Sequence, residues 1–337
     1  MERFIKQVGG GARTSRPLDR ADATAAMEQL VRGQADPVQV GAFLMALRMK
    51  GETSAELAGF ADALAPFRQP SPATAEVLDV DAHGDGHAGR PSLLPVAACA
   101  AAALGVPVCL GVDGDSPFAK HGLRGSLAAI HRRPPFGVER ARRDLAASGV
   151  AVIDLGEACP PLARLIDLRR LLGRRSFAHT VAKLFSPLGC SRRLVGVFHA
   201  PYLESTAQAL GLLGVERGVV VQALGGLPEA RPGRILRAAH ANAPRAAAID
   251  CRPLAPLDED ALPGAGDEAA TLSDTNDAAA RDTHRAMAGE AALARRAAAT
   301  AGLMVYAATG ADPLDAAAAA EVALRSGRAR AIADQVT

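Results

Sequence analysis

The stretch that decides the fold runs from Val77 to Arg124: VLDVDAHGDG (77–86), LLPVAACAAAALG (93–105), VPVCLGV (106–112) and KHGLR (120–124). It reads as a buried strand, a glycine turn, an apolar helix, a second strand and a polar loop. One such β-loop-α-β unit needs a larger sheet to cover its apolar faces. The turn Asp81-Ala82-His83-Gly84-Asp85-Gly86 feeds a helix N-terminus, where backbone N–H groups converge and an anion is stabilised. Read by itself, a GDG after a strand is more readily an ordinary tight turn.

Upstream of this unit the pattern is helical throughout. A helix over 21–31 ends at Arg32-Gly33, and Asp36-Pro37 caps and starts the next, with Val40, Phe43, Leu44 and Leu47 at helical spacing. Thr53-x-x-Glu56 is a capping box ahead of Leu57, Phe60, Ala61 and Leu64. Pro66, Pro70 and Pro72 then mark a linker. Downstream, strands are predicted over 150–154, 193–199 and 217–221, with an edge strand over 245–250, and helices between them. The expected architecture is therefore α/β: a small all-helical domain over 1–70, then a large α/β domain over 76–337 around a central, mostly parallel sheet.

The chain has 337 residues, a net charge of +2, two Tyr and no Trp. Recognition by broad aromatic platforms is thereby disfavoured. The charge is unevenly spread. From Lys120 to Arg193 there are fifteen basic and five acidic residues, whereas 250–277 carries eight acidic residues and one Arg. A basic middle in a near-neutral chain points to phosphate-bearing ligands, against the plainer reading of solvated arginine faces. Five scattered cysteines make no CxxC, and the N-terminus lacks a signal-peptide core. A reducing, cytoplasmic setting is expected, with no membrane partner.

With the helical start, the 82–86 turn, Lys120-His121-Gly122 and the segment Arg169 to Arg175 in view, the chain resembles the glycosyltransferase family three fold of anthranilate phosphoribosyltransferase. The resemblance implies a cleft between the two domains, helices of 160–187 packed toward the small domain, and a homodimer formed through the helical domains. Surplus apolar surface at Phe43, Leu44, Phe60 and Leu64 is expected to serve that dimer. In the enzymes a GTGGD loop holds the pyrophosphate of phosphoribosyl pyrophosphate (PRPP). Here the matching residues are Asp81 to Asp85, in which Asp81 is expected to repel the pyrophosphate and His83 to crowd it. The phosphate- and metal-binding stretch that follows is replaced by 89–94, and the acidic pair that anchors Mg²⁺ appears as Pro228-Glu229.

These departures make His83, Gly84, Asp85 and Gly86 a vestigial phosphate loop and place the chain, by resemblance, in the YbiB-type DNA-binding branch. The expectation is a homodimer that binds nucleic acid, mainly single-stranded DNA, through phosphates with little sequence preference, without catalytic residues, metal or cofactor. The binding residues expected are Lys120, Arg124, Arg132, Arg133, Arg140, Arg142, Arg143, Arg169, Arg170, Arg174, Arg175, His179 and Lys183. Arg174 and Arg175 are expected to be open to ligand, and Arg169 or Arg170 to pair with a carboxylate such as Asp167. The alternative is a Mg²⁺-dependent phosphoribosyl or glycosyl transferase with an unknown acceptor.

Overall fold

The computed structural model describes residues 1–11, 13–86, 91–113, 118–120, 122–251 and 272–335. Four helices open the chain: α1 (Glu2–Val8), α2 (Arg20–Val31), α3 (Pro37–Lys50) and α4 (Ser54–Asp62). Their starts follow the sequence cues. Asp19 and Asp36 cap α2 and α3, and Thr53 and Glu56 close a reciprocal capping box on α4.

The large domain follows with β1 (Leu78–Asp81), α5 (Leu94–Ala102), β2 (Val108–Val112), α6 (Leu123–Ala129), α7 (Val138–Ser148) and β3 (Val150–Asp154). Short helices α8 (Leu155–Ala158), α9 (Pro160–Asp167) and α10 (Arg169–Leu172) lead to α11 (Phe177–Leu184). Then come β4 (Arg192–Val197), α12 (Pro201–Leu212), β5 (Arg217–Gln222), β6 (Ile235–His240) and β7 (Ala243–Asp250). The described chain closes with α13 (Leu272–Met287), α14 (Ala291–Thr309), α15 (Pro313–Arg325) and α16 (Arg328–Asp334). Among the described residues, no helix is long and apolar enough to cross a membrane.

The seven strands form one sheet in the order β3-β2-β1-β4-β5-β6-β7. β1 to β5 are parallel, and β6 and β7 add an antiparallel edge. The expected mostly parallel α/β sheet beside a small helical domain is what the structure has. β6 is a strand beyond those predicted from the sequence. Side chains alternate between faces as a pleated strand requires. Leu194, Val219 and Val221 join the core under α5 and α14, whereas Val195, Val197 and Val220 join the core that contains the small domain.

That second core corrects the expected surplus of apolar surface. Phe43, Leu44, Phe60 and Leu64 are fully buried within the chain. Phe177 at the start of α11 supplies the missing partner, with its ring 4.3 Å from that of Phe60 and 5.9 Å from that of Phe43. The apolar faces offered as the reason for a dimer are therefore used internally.

Candidate active site

Chain reversal within the parallel part of the sheet places β1 beside β4, and open α/β sheets bind ligands outside the carboxyl ends of strands at such a switch point. A cleft of about 950 Å³ lies there. Its floor is Gly84 to Gly86 after β1 and Gly225-Gly226 after β5, and its walls come from α3, α10, α11 and the start of α12. Arg48, Lys120, Arg169, Arg174, Arg175 and Lys183 line it against Glu52 and Asp85. A cationic excess in a concave, partly enclosed site favours an anionic ligand.

The glycines of the floor are required by close approach. Gly86 donates its N–H to the Gly225 carbonyl at 3.1 Å. A Cβ on Gly225, which has φ 67°, would fall 2.3 Å from the Gly86 carbonyl carbon.

Asp81 and His83 behave differently from their expected roles. The Asp81 carboxylate is fully buried beneath the floor, where it accepts from Lys183 Nζ at 2.7 Å, from His83 N and Nδ1 at 2.9 Å each, and from Gly196 N at 3.3 Å. Burial alone would raise its pKa, but the Lys183 charge and the His83 contact hold it well below the usual carboxylate range. His83 turns down to Asp81 and packs over Gly111, so it does not occupy the cleft. The replaced loop residues thus neither repel nor crowd a pyrophosphate. They form part of a buried ionic support that ties β1, β4, α11 and the 224–226 turn together, with Lys183 also donating to the Gly226 carbonyl at 3.1 Å.

Asp85 is the carboxylate that faces the cleft. Arg169 grips it with two hydrogen bonds, at 2.8 and 2.9 Å, and Arg175 donates to the same carboxylate. Burial raises its pKa, yet the Arg169 hydrogen bond and the charges of Arg175 and Arg169 outweigh that and keep it low. Arg169 also stacks on Phe118, 3.9 Å from the ring centre. Arg48 crosses from α3 to donate to the Arg175 carbonyl at 2.7 Å, joining the small domain to the site.

α11 carries His179 and Lys183 and is held at both ends. At its N-terminus the Ser176 N–H lies 3.2 Å from His179 Nδ1, and His179 N donates to the Ser176 carbonyl at 3.1 Å. At its C-terminus the buried Arg193 donates to the carbonyls of Lys183, Leu184 and Phe185 at 2.9, 2.9 and 3.3 Å, meeting carbonyls that a helix end leaves unpaired. His179 is 5% exposed. Its pKa is pushed down to about 3, first by burial and then by the charges of Arg175 and Arg169.

A pH effect on stability follows. The unfolded chain gains a proton on this imidazole below about 6.5, whereas the folded chain resists it down to about 3. Stability is therefore lost as pH falls through that window, with a slope contribution of about 1.4 kcal/mol per unit. Urea unfolding from pH 7 to 4.5 will show a shallower decline for His179→Gln than for wild type; equal slopes would contradict the buried neutral imidazole.

Of the candidate residues named from sequence, Lys120, Arg169, Arg174, Arg175, His179 and Lys183 come together at the cleft, along with Gly84, Asp85 and Gly86. Arg124, Arg132, Arg133, Arg140, Arg142, Arg143 and Arg170 do not line it. Arg132 is 1% exposed and donates to Ser148 Oγ at 3.0 Å. Arg140 pairs with Asp144, and Arg142 with Glu139 and the Gln69 carbonyl. Arg170 is exposed, 3.9 Å from Asp167. The expected basic track is largely consumed by internal pairing. Lys183 is not part of a basic surface, and Arg175 is engaged by Asp85. His121, residues 89–90 and most of the acidic 250–277 segment lie outside the described residues.

Sequence reading missed Arg48, Glu52, Phe118, His199 and Tyr202 on the cleft wall. Glu52 and Tyr202 sit 3.5 Å apart, with the Glu52 carboxyl raised chiefly by burial. A second cavity of about 500 Å³ shares Phe198 and His199 with the cleft and is lined by Glu229. Glu229 accepts from Ser92 Oγ at 2.7 Å and Leu93 N at 3.0 Å.

A two-domain molecule with an anion-favouring cleft at the switch point of its sheet is the architecture of a glycosyl transferase. Residues 2–66 match the glycosyl transferase family helical bundle domain and residues 77–330 match that family's a/b domain, so the chain belongs to this glycosyl transferase family. Among curated relatives, it is 34% identical over 216 residues to anthranilate phosphoribosyltransferase of Rhodospirillum rubrum, covering 64% of this chain and 62% of the relative. It is 33% identical over 229 residues to anthranilate phosphoribosyltransferase 2 of Ralstonia nicotianae, covering 67% and 65%. The matched region therefore spans a little under two thirds of these two relatives. The structure superposes on anthranilate phosphoribosyltransferase (TrpD) from Thermus thermophilus with TM-score 0.83 and 25% identity, covering 99% of this chain and 98% of the other. It also superposes on the Saccharomyces cerevisiae enzyme in complex with PRPP and Mg, with TM-score 0.79, 15% identity and coverage of 99% and 96%.

These similarities correct several expectations. The resemblance lies with the anthranilate phosphoribosyltransferases and not with the YbiB-type branch. The reading as a non-catalytic, single-stranded-DNA-binding protein is overturned with it, since the related proteins are named as phosphoribosyltransferases. The expectation of no cofactor is overturned as well, because a protein of the same fold is solved with PRPP and Mg.

Proposed function

We propose that the protein is a Mg²⁺-dependent phosphoribosyltransferase that transfers the phosphoribosyl group of PRPP to the amine of anthranilate. A C–N bond forms at the anomeric carbon, the C–O bond to pyrophosphate breaks, and the amine proton leaves to solvent or a cleft carboxylate. The observation that carries this reading is the paired glycine floor under a cationic cleft, with Asp81 and His83 turned beneath it. The relatives named anthranilate phosphoribosyltransferase support the choice of acceptor.

The chain's own groups account for binding and orientation. The floor at Gly84 to Gly86 and Gly225-Gly226 lets a pyrophosphate approach main chain without steric conflict. Lys120 and Arg174 line the same cleft and supply positive charge to the phosphates. Arg169 and Arg175, preorganised by Asp85, Phe118 and Arg48, present forks suited to a carboxylate. Fixing both reactants in one enclosed site is the main route by which such a cleft accelerates a displacement.

The donor set fits a metal that arrives with the substrate. Among the described residues, no three His, Cys, Asp or Glu side chains gather into a metal-binding group. One carboxylate, Glu229, stands on the wall of the adjoining cavity, and Mg²⁺ is commonly held by one or two carboxylates plus substrate phosphates. Such an ion, held by Glu229 and the substrate phosphates, would supply neutralisation of charge on the departing pyrophosphate. The five cysteines are buried and form no disulfide, in keeping with a reducing cytoplasmic setting.

Binding is tested by thermal unfolding. PRPP with Mg²⁺ at about 100 times its Kd will stabilise the protein by roughly 2.7 kcal/mol and raise its Tm, and PRPP with EDTA will do so much less. Equal, negligible shifts in both would count against the reading.

A further inference from the structure

The two oxygens of Glu229, on the wall of the second cavity, are used differently. Oε1 accepts from Ser92 Oγ at 2.7 Å and from Leu93 N at 3.0 Å. Both donors are fixed in place: Ser126 Oγ donates to the Ser92 carbonyl at 2.7 Å, and Leu93 immediately precedes the first turn of α5. Oε2 instead meets Arg296 Nη2 at 3.4 Å, a long contact. The same Nη2 donates to the Pro91 carbonyl at 2.5 Å, so the largely buried Arg296 is anchored on Pro91 and reaches Glu229 loosely. Its helix, α14, also holds the next residue, because Ala230 N donates to Thr300 Oγ1 at 3.1 Å. The carboxylate is thus aimed through Oε1, while Oε2 faces a fixed cation. A metal–oxygen distance of about 2.1 Å would put an ion on Oε2 within about 6 Å of that guanidinium. At that range the repulsion between a doubly and a singly charged cation is worth about a factor of ten in affinity even at the dielectric of water. A metal diphosphate is anionic, and the same guanidinium attracts it.

We propose that Arg296 is a specificity-determining residue that denies Glu229 Oε2 to a free divalent ion and admits the ion only as its diphosphate complex. This rests on the Mg²⁺-dependent reading and deepens it by assigning the order in which metal and substrate reach the site. Arg296 stays on the Pro91 carbonyl throughout, so the selection needs no rearrangement of the chain. It follows from the charge of what arrives.

The experiment uses Mn²⁺, which suits the same oxygen ligands as Mg²⁺, and follows the free ion by electron paramagnetic resonance. The proteins are wild type, Arg296→Gln, Arg296→Lys and the double variant Arg296→Gln with Glu229→Gln, each checked for an unchanged circular dichroism spectrum. Gln keeps a donor for the Pro91 carbonyl without the charge, and Lys keeps the charge. Arg296→Gln will bind free Mn²⁺ about 10-fold or more tightly than wild type. Arg296→Lys will bind as weakly as wild type, and the double variant will lose the gain. The proposal is overturned if wild type and Arg296→Gln bind alike, if Lys gains as much as Gln, or if the double variant keeps the gain. A second measurement needs wild type alone: MnCl₂ with inorganic pyrophosphate will raise its Tm, and the same MnCl₂ without pyrophosphate will not. Equal responses would also overturn the proposal. Absence of phosphoribosyl transfer would sink the functional reading and leave the Mn²⁺ results standing. Transfer together with equal Mn²⁺ binding by wild type and Arg296→Gln would do the reverse.

Discussion

Lys183→Met is expected to destabilise the fold by about 3–5 kcal/mol, because it strips the ammonium from a fully buried carboxylate. Asp81 would keep its contacts to His83 and Gly196 but lose its closest full charge, and the Gly226 carbonyl would lose its donor as well. The double variant Asp81→Asn with Lys183→Met removes the stranded charge while retaining an oxygen for the two His83 contacts, and gives up only the longer 3.3 Å contact from Gly196, which goes to the other carboxylate oxygen. It will recover most of the loss, as replacing a buried pair is far less harmful than halving it. Urea midpoints of the three proteins measure this. A single-variant loss under about 1 kcal/mol, or no recovery in the double, would show that the pair does not support the cleft floor.

Gly225→Ala will have the largest effect on PRPP recognition. The residue has φ 67°, where an alanine costs roughly 1–2 kcal/mol, and its new Cβ would meet Gly86 main chain at 2.3–2.5 Å. Backbone cannot yield as a flexible side chain does, so the two glycine turns must separate. A misplacement near 1 Å in such a site is worth about 10²-fold in kcat/KM. Gly226→Ala is the control, since it has a similar φ of 75° but its nearest neighbour would be 3.7 Å away. Comparable losses in both variants would mean that left-handed strain, and not the contact between turns, is responsible.

The fold was legible where local chemistry agrees with tertiary structure. Thr53 and Glu56 announce α4, and the valines of 77–81 and 217–221 announce parallel strands. β6 was missed because Arg234-Ile-Leu-Arg-Ala-Ala-His240 carries little β-branched content and gains its pairing from β5 and β7. The cationic side of the site was visible in Arg169 and Arg175. Its carboxylate partner was not, because Asp85 lies 84 and 90 residues away in sequence.

The same limitation reversed the meaning of Asp81. As an isolated substitution in a phosphate loop it looks repulsive, and only folding brings Lys183, 102 residues distant, to neutralise it. Counting arginines failed for a related reason. Formal charge does not reveal that Arg132 is buried or that Arg140 and Arg142 are spent on neighbours.

The most direct test of the central claim is a steady-state assay of the purified protein with PRPP, Mg²⁺ and anthranilate, following loss of anthranilate fluorescence and release of pyrophosphate. The structure predicts matched consumption and release at a turnover of about 1 s⁻¹ or more, abolished by EDTA. Absence of pyrophosphate release above the uncatalysed background, in protein that is folded and binds PRPP, would contradict it.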